Sequence, residues 1–77
     1  MTDVKVYTTS TCPWCNVVKD FLKDNNVAFQ EINVGTDQKA AMDMVAKSGQ
    51  MGVPQVEIDG AMIVGFNEQA IRQALGL

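Results

Sequence analysis

The stretch Val4-Lys5-Val6-Tyr7-Thr8-Thr9-Ser10-Thr11-Cys12-Pro13-Trp14-Cys15-Asn16-Val17-Val18-Lys19-Asp20-Phe21-Leu22-Lys23-Asp24 holds the change of period that decides the fold. Val4, Val6 and Thr8 alternate with Lys5 and Tyr7, the two-residue repeat of a strand. Beyond the cysteines the apolar positions are Val17, Val18, Phe21 and Leu22, with Asn16, Lys19, Asp20 and Lys23 opposite, so an amphipathic helix is predicted from about Pro13 to Asp24. Asp24-Asn25-Asn26 breaks it, and Val27-Ala28-Phe29-Gln30-Glu31-Ile32 reads as a second strand. A helix between two strands gives room for a right-handed crossover, so this half is a parallel β-α-β unit.

Downstream the signals change sign. Gly35-Thr36-Asp37 opens a second helix with a weak apolar face at Ala41, Met44, Val45 and Ser48, ended by Gly49. Gln55 to Ile58 and Ala61 to Val64 flank Asp59-Gly60, the pattern of a tight antiparallel hairpin. Asn67 is placed to cap a last helix whose buried side is Ala70, Ile71, Ala74 and Leu75, with Gly76 closing it. The order is strand, helix, strand, helix, strand, strand, helix, an α/β fold with a four-stranded mixed sheet between helices.

Length bounds what such a chain can do. Seventy-seven residues support one domain, residues 1–77, with a folded surface of about 4,600 Å² against about 12,200 Å² unfolded, roughly 60% burial. Hydrophobic residues make up 47% of the chain and charged ones 19%, a globular balance. A net charge of −3 with six Lys plus Arg and no basic block excludes the electrostatic footprint of a nucleic-acid or anionic-membrane binder. The longest apolar run, Ala61 to Val64, is far short of the roughly 20 residues that span a bilayer. The charged start Met1-Thr2-Asp3-Val4 has no signal-peptide core, so the expected location is the cytoplasm.

Two cysteines and no histidine confine the chemistry to sulfur. Two ligands cannot complete a four-coordinate zinc site within one chain. Cys12-Pro13-Trp14-Cys15 stands where the first strand passes into the first helix, and a helix N-terminus offers unpaired N–H groups and about half a positive charge to a thiolate. Free cysteine has a pKa near 8.5, and such positions bring it to roughly 3.5 to 7.5. Cys12, earlier and more open, is the expected nucleophile. Cys15, one turn on, is expected to resolve the mixed disulfide and release two electrons to the substrate. Pro13 suits the first turn, where its missing N–H costs nothing. The alternative is a buried pair of inert small hydrophobes.

Cys12-Pro13-Trp14-Cys15 after Val6-Tyr7-Thr8-Thr9, Gly52-Val53-Pro54-Gln55 before a strand, and Val64-Gly65-Phe66-Asn67 before the last helix together resemble the small glutaredoxin-like proteins, over essentially the whole chain. The resemblance implies a thioredoxin fold, a cis peptide bond before Pro54 facing the cysteines, and a Val53 backbone that pairs with an extended glutathione or protein strand. It implies a substrate site of Pro13, Trp14, Val53, Pro54, Gly65, Phe66 and Asn67, with Cys12 and Cys15 catalytic and no cofactor or metal. Trp14 takes the place of the family's usual tyrosine, as an exposed platform for a partner or as a ring partly buried against the sheet edge.

The departures point to the electron donor. Glutathione carries two carboxylates, and glutathione-using members often hold one with a lysine three residues before the first cysteine, where this chain has Thr9. The family's threonine before Val-Pro is Gly52, and its Gly-Gly-x-Asp-Asp segment reads Val64-Gly65-Phe66-Asn67-Glu68. These losses resemble redoxins recycled by a thioredoxin-reductase-type flavoprotein. The expected partners are therefore disulfide-containing proteins and such a flavoprotein, with glutathione the alternative donor and the chain a monomer. A further alternative is a dimeric [2Fe–2S] module bridged by Cys12 of each copy, against which Pro13 argues, because cluster-bridging members more often have a small residue there. Met42, Met44, Met51 and Met62 are read as core filler, and Lys19 as a charge near enough to the cysteines to influence a partner's approach.

Overall fold

The structure, a computed structural model, describes residues 3–77; Met1 and Thr2, which belong to the 1–77 domain and the leaderless start read above, lie outside the described residues. The elements are β1 (Val4–Thr8), α1 (Pro13–Asp24), β2 (Gln30–Asn33), α2 (Gln38–Ser48), β3 (Gln55–Ile58), β4 (Ala61–Val64) and α3 (Glu68–Leu75). The sheet order is β2-β1-β3-β4. β1 and β2 are parallel, while β3 runs antiparallel to both β1 and β4. The mixed sheet and the three helices are those expected.

Register sorts the strand side chains onto two faces. Val4 stands opposite Ile58 and Val6 opposite Val56; on this face they join Val18 and Leu22 of α1 and Ile71 of α3 in the main core. The other face carries Tyr7 opposite Gln55 and Lys5 opposite Glu57, and α2 lies against it through buried Met44 and a Lys47–Glu57 ion pair. All four residues of β3 are buried, two of them polar. The surface of 4732 Å² is close to that expected for a folded chain of this size.

Local chemistry explains the element ends. Asp59 and Gly60 both have positive φ, 49° and 90°, the geometry that lets a two-residue turn follow the twist of β3 and β4. Asp37 and Asn67 cap α2 and α3 by accepting the amides of Ala40 and Ala70 at 3.0 and 3.1 Å.

Three expectations are corrected. The second strand starts at Gln30 rather than Val27. Asn26 turns left-handed, and the amides of Asn26 and Val27 donate to the carbonyls of Lys23 and Leu22 at 3.0 and 2.9 Å. This is the paired bond of a Schellman motif. Val27 therefore closes α1, and Val27 and Phe29 pack on the core before the chain joins the ladder, which extends one residue past Ile32 to Asn33. Ala74 is exposed, because Ile71 alone of α3 is fully buried. Of the methionines read as core, Met44 is 1% exposed but Met42 is 67% and Met51 81% exposed, lining an open groove with Gln38, Ala41, Val45 and Ala46. Lys19 is paired with Glu31 at 2.9 Å.

Candidate functional site

β1 ends at Thr8, and the turn that follows delivers Cys12 to the N-cap of α1 with extended backbone, φ −105° and ψ 103°. Pro13 is the first helical residue, as the missing donor and fixed φ of proline favour. The structure holds Cys12 and Cys15 as a disulfide with Cα atoms 5.3 Å apart. Cys12 Sγ accepts the backbone amide of Cys15 at 3.1 Å, so the sulfur takes the place of the side-chain oxygen that caps most helices. Cys12 is half-buried and Cys15 is 1% exposed. One sulfur is therefore presented to a partner while the other is kept behind it.

A second wall stands beside Trp14. The Val53–Pro54 peptide bond is cis, and the Gly65 amide donates to the Pro54 carbonyl at 2.8 Å, tying the loop before β3 to the loop after β4. Trp14, Val53, Pro54, Gly65 and Phe66 line one groove of about 260 Å³. Trp14 is 60% exposed and stacks on Phe66, ring centroids 6.4 Å apart, so its ring is exposed rather than largely buried. The structure brings five of the sequence-predicted substrate residues to this groove. Pro13, exposed, stands beside them at the head of α1, and Asn67, also exposed, caps the next helix.

Some contributors carry no local sequence signal. Phe66 also meets Phe21 edge-on at 5.6 Å, and the Arg72 guanidinium lies 5.0 Å from the Phe21 ring centre, so the Trp14 shelf is braced by a ladder of rings reaching α3. Under the other face of the sheet, Tyr7 Oη and Lys47 Nζ both donate to Glu57 Oε1, at 2.8 and 2.9 Å. The ammonium of Lys47 is the main reason the Glu57 carboxyl ionises below its ordinary range, and the Tyr7 hydroxyl adds to it against the opposing effect of burial. Burial first, and then the neighbouring Glu57, raise the Tyr7 phenol. On the opposite flank Glu31 Oε2 accepts Lys19 Nζ at 2.9 Å and Thr8 Oγ1 at 3.1 Å, and the Lys19 bond is the leading cause of its lowered pKa. Gln55, read only as a strand start, is fully buried, and its Nε2 binds the carbonyls of Gln50 and Gly52 at 3.0 and 2.8 Å.

A β-α-β unit with a dithiol at the first helix start, completed by an antiparallel hairpin and a proline loop, defines a thiol–disulfide oxidoreductase of the thioredoxin fold. The glutaredoxin family model matches residues 4–63. The chain is 47% identical over 68 residues to an uncharacterized glutaredoxin-like 8.6 kDa protein in the rubredoxin operon of Clostridium pasteurianum, covering 88% of this chain and 91% of that one. It is 34% identical over 76 residues to glutaredoxin 3 of Escherichia coli strain K12, covering 99% and 92%. The crystal structure of the thioredoxin-like protein BC3987 superposes with a TM-score of 0.88 at 38% identity, covering 94% of this chain and 99% of the other. The chain belongs to the glutaredoxin family, and Cys12 and Cys15 are its redox-active pair.

Proposed function

We propose that this protein reduces disulfides in other proteins through Cys12 and Cys15, and that a thioredoxin-reductase-type flavoprotein rather than glutathione returns its electrons. In the reduced protein the Cys12 thiolate attacks one sulfur of the substrate disulfide, forming a mixed disulfide and releasing the other substrate sulfur as a thiolate. Cys15, deprotonated, then attacks Cys12 Sγ, the internal disulfide forms, and the second substrate sulfur leaves. Two electrons pass to the substrate and two cysteine protons pass to the released thiolates or to solvent.

The observation that carries the choice of donor is the make-up of the groove: Trp14, Val53, Pro54, Gly65 and Phe66 line it, and none is a cation. Three of the chain's cations are engaged elsewhere, Lys19 with Glu31, Lys47 with Glu57 and Arg72 with Glu68. A doubly carboxylated tripeptide gains no ion pair from that lining, and a net charge of −3 gives no long-range attraction to it. The exposed Trp14–Phe66 stack suits the apolar and peptide surface of a protein partner. Val53, Pro54 and Trp14 are assigned to substrate contact, with Gly65, Phe66, Asn67 and Pro13 shaping the rim.

The test is a coupled assay of NADPH oxidation with a protein disulfide as acceptor. The expected result is fast turnover with thioredoxin reductase and slow turnover with glutathione plus glutathione reductase. The reverse pattern would make this a glutathione-dependent member, with the amides at the start of α3 that Asn67 leaves open offered to a glutathione carboxylate.

A further inference from the structure

We infer that Gln55 is a positioning residue for substrate binding: its side chain clamps the loop that presents the Val53 peptide to the extended substrate. The inference rests on the reading that Val53 pairs with substrate backbone. Gln55 opens β3 at 0% exposure, with its side chain directed back under the loop it follows. Its amide nitrogen has two hydrogens, and the carbonyls of Gln50 and Gly52 take one each, at 3.0 and 2.8 Å. The two carbonyls also fix which end of the amide is nitrogen, because an oxygen there would face two acceptors.

The same loop is tied at its other end. Ser48 Oγ, in the last turn of α2, accepts the Gln50 amide at 3.1 Å, and beyond Pro54 the carbonyl of that residue accepts Gly65 N–H at 2.8 Å. Residues 50 to 54 are thus held from α2, from β3 and from the loop after β4, while Val53, half-buried, lies outside the ladder and lines the groove beside Trp14. The clamp grips main-chain oxygens, so it works with any residue at position 52, including the glycine present there. Gln55 Oε1 is buried with no partner among the described residues. A buried amide kept despite its orphan oxygen marks Nε2 as the useful end, since only that nitrogen answers the Gln50 and Gly52 carbonyls.

The function of the clamp is pre-organisation. A loop fixed before the partner arrives does not lose its freedom on binding, so the effect falls on affinity and not on sulfur chemistry. Gln55→Met keeps the length of the side chain and removes both donors. In single-turnover reduction by the prereduced protein, the concentration of a hexapeptide disulfide giving half-maximal rate is expected to rise about tenfold, the factor that about 1.4 kcal/mol corresponds to, with the maximal rate within about twofold of wild type. Reduction of 2-hydroxyethyl disulfide, which has no peptide groups, is expected to be unchanged. Equal losses on both substrates, or no loss on either, overturn the inference.

Should Gln55→Met fail to fold, wild-type nuclear magnetic resonance decides. The Gln55 side-chain amide protons are expected to exchange slowly, and the Val53 amide to shift when an unreactive S-methylcysteine hexapeptide is added. Fast exchange at Gln55 removes the clamp. A Val53 signal indifferent to the peptide, with Gln55 still protected, removes the backbone-pairing reading and with it the purpose assigned to the clamp.

Discussion

The amide of Cys15 points at the sulfur of Cys12 across 3.1 Å, so the residue proposed to resolve the mixed disulfide also supplies a hydrogen bond to the one proposed to start it. An N–H directed at a sulfur favours its ionised form, and the N-terminal end of α1 adds the field of the helix. In the reduced protein Cys12 is expected to ionise below the free-cysteine value of about 8.5, read from the ultraviolet absorbance of the thiolate. Cys12→Ser should abolish turnover. Cys15→Ser should leave the first attack intact and stall the reaction as a mixed disulfide visible by mass.

Glu57 sets an acid limit to stability. Its carboxylate is held by Lys47 and Tyr7, and its pKa is lowered on folding. The stabilisation is therefore present above the unfolded value of about 4.3 and is lost as pH falls through the lower folded value. Glu57→Gln should be less stable than wild type at neutral pH and show a shallower loss of Tm below about pH 4.3. Tyr7→Phe, which removes one of the two donors, should cost about 0.5–1.5 kcal/mol, measured by urea unfolding.

Trp14 separates binding from folding. Its ring is 60% exposed and rests on Phe66, so Trp14→Ala should lower stability by no more than about 0.5–1.5 kcal/mol. The half-saturating concentration of a protein disulfide should rise several-fold. Reaction of reduced Cys12 with iodoacetamide, a probe too small to need the shelf, should be unchanged.

Leu22 and Met42 test the two sides of the hydrophobic pattern. Leu22 is fully buried between α1 and the sheet, so Leu22→Ala should cost about 2–5 kcal/mol. Met42 stands 67% exposed on α2, and Met42→Ala should stay within about 0.5 kcal/mol of wild type. Chemical denaturation of the two variants gives both values.

The elements legible in the chain were those whose ends are set by local chemistry. Pro13 and the Asp24-Asn25-Asn26 break bound α1, Asp59-Gly60 sets the hairpin, and Asn67 and Gly76 bound α3, because caps and left-handed turns depend on the few residues around them. The cysteine pair was legible for the same reason: a three-residue spacing at a helix start defines its own geometry.

Partners distant in sequence were not legible. Whether Val27 and Phe29 enter the ladder, or instead Val27 closes α1 and Phe29 packs inward, depends on the Leu22 carbonyl and on the space left in the core. Whether a methionine is covered depends on which side of α2 meets the sheet, a choice its weak apolar face does not settle.

By itself the sequence determined the order of elements, the dithiol and its place at a helix start, since each follows from interactions within a few residues. Only the tertiary structure decided that Trp14 rests on Phe66, that Glu57 is shared by Tyr7 and Lys47, and that Gln55 holds the Val53 loop. Apart from the Gln55 contacts, these join residues ten to fifty-two positions apart, and a pairing at that range exists only once the sheet has brought its strands into register.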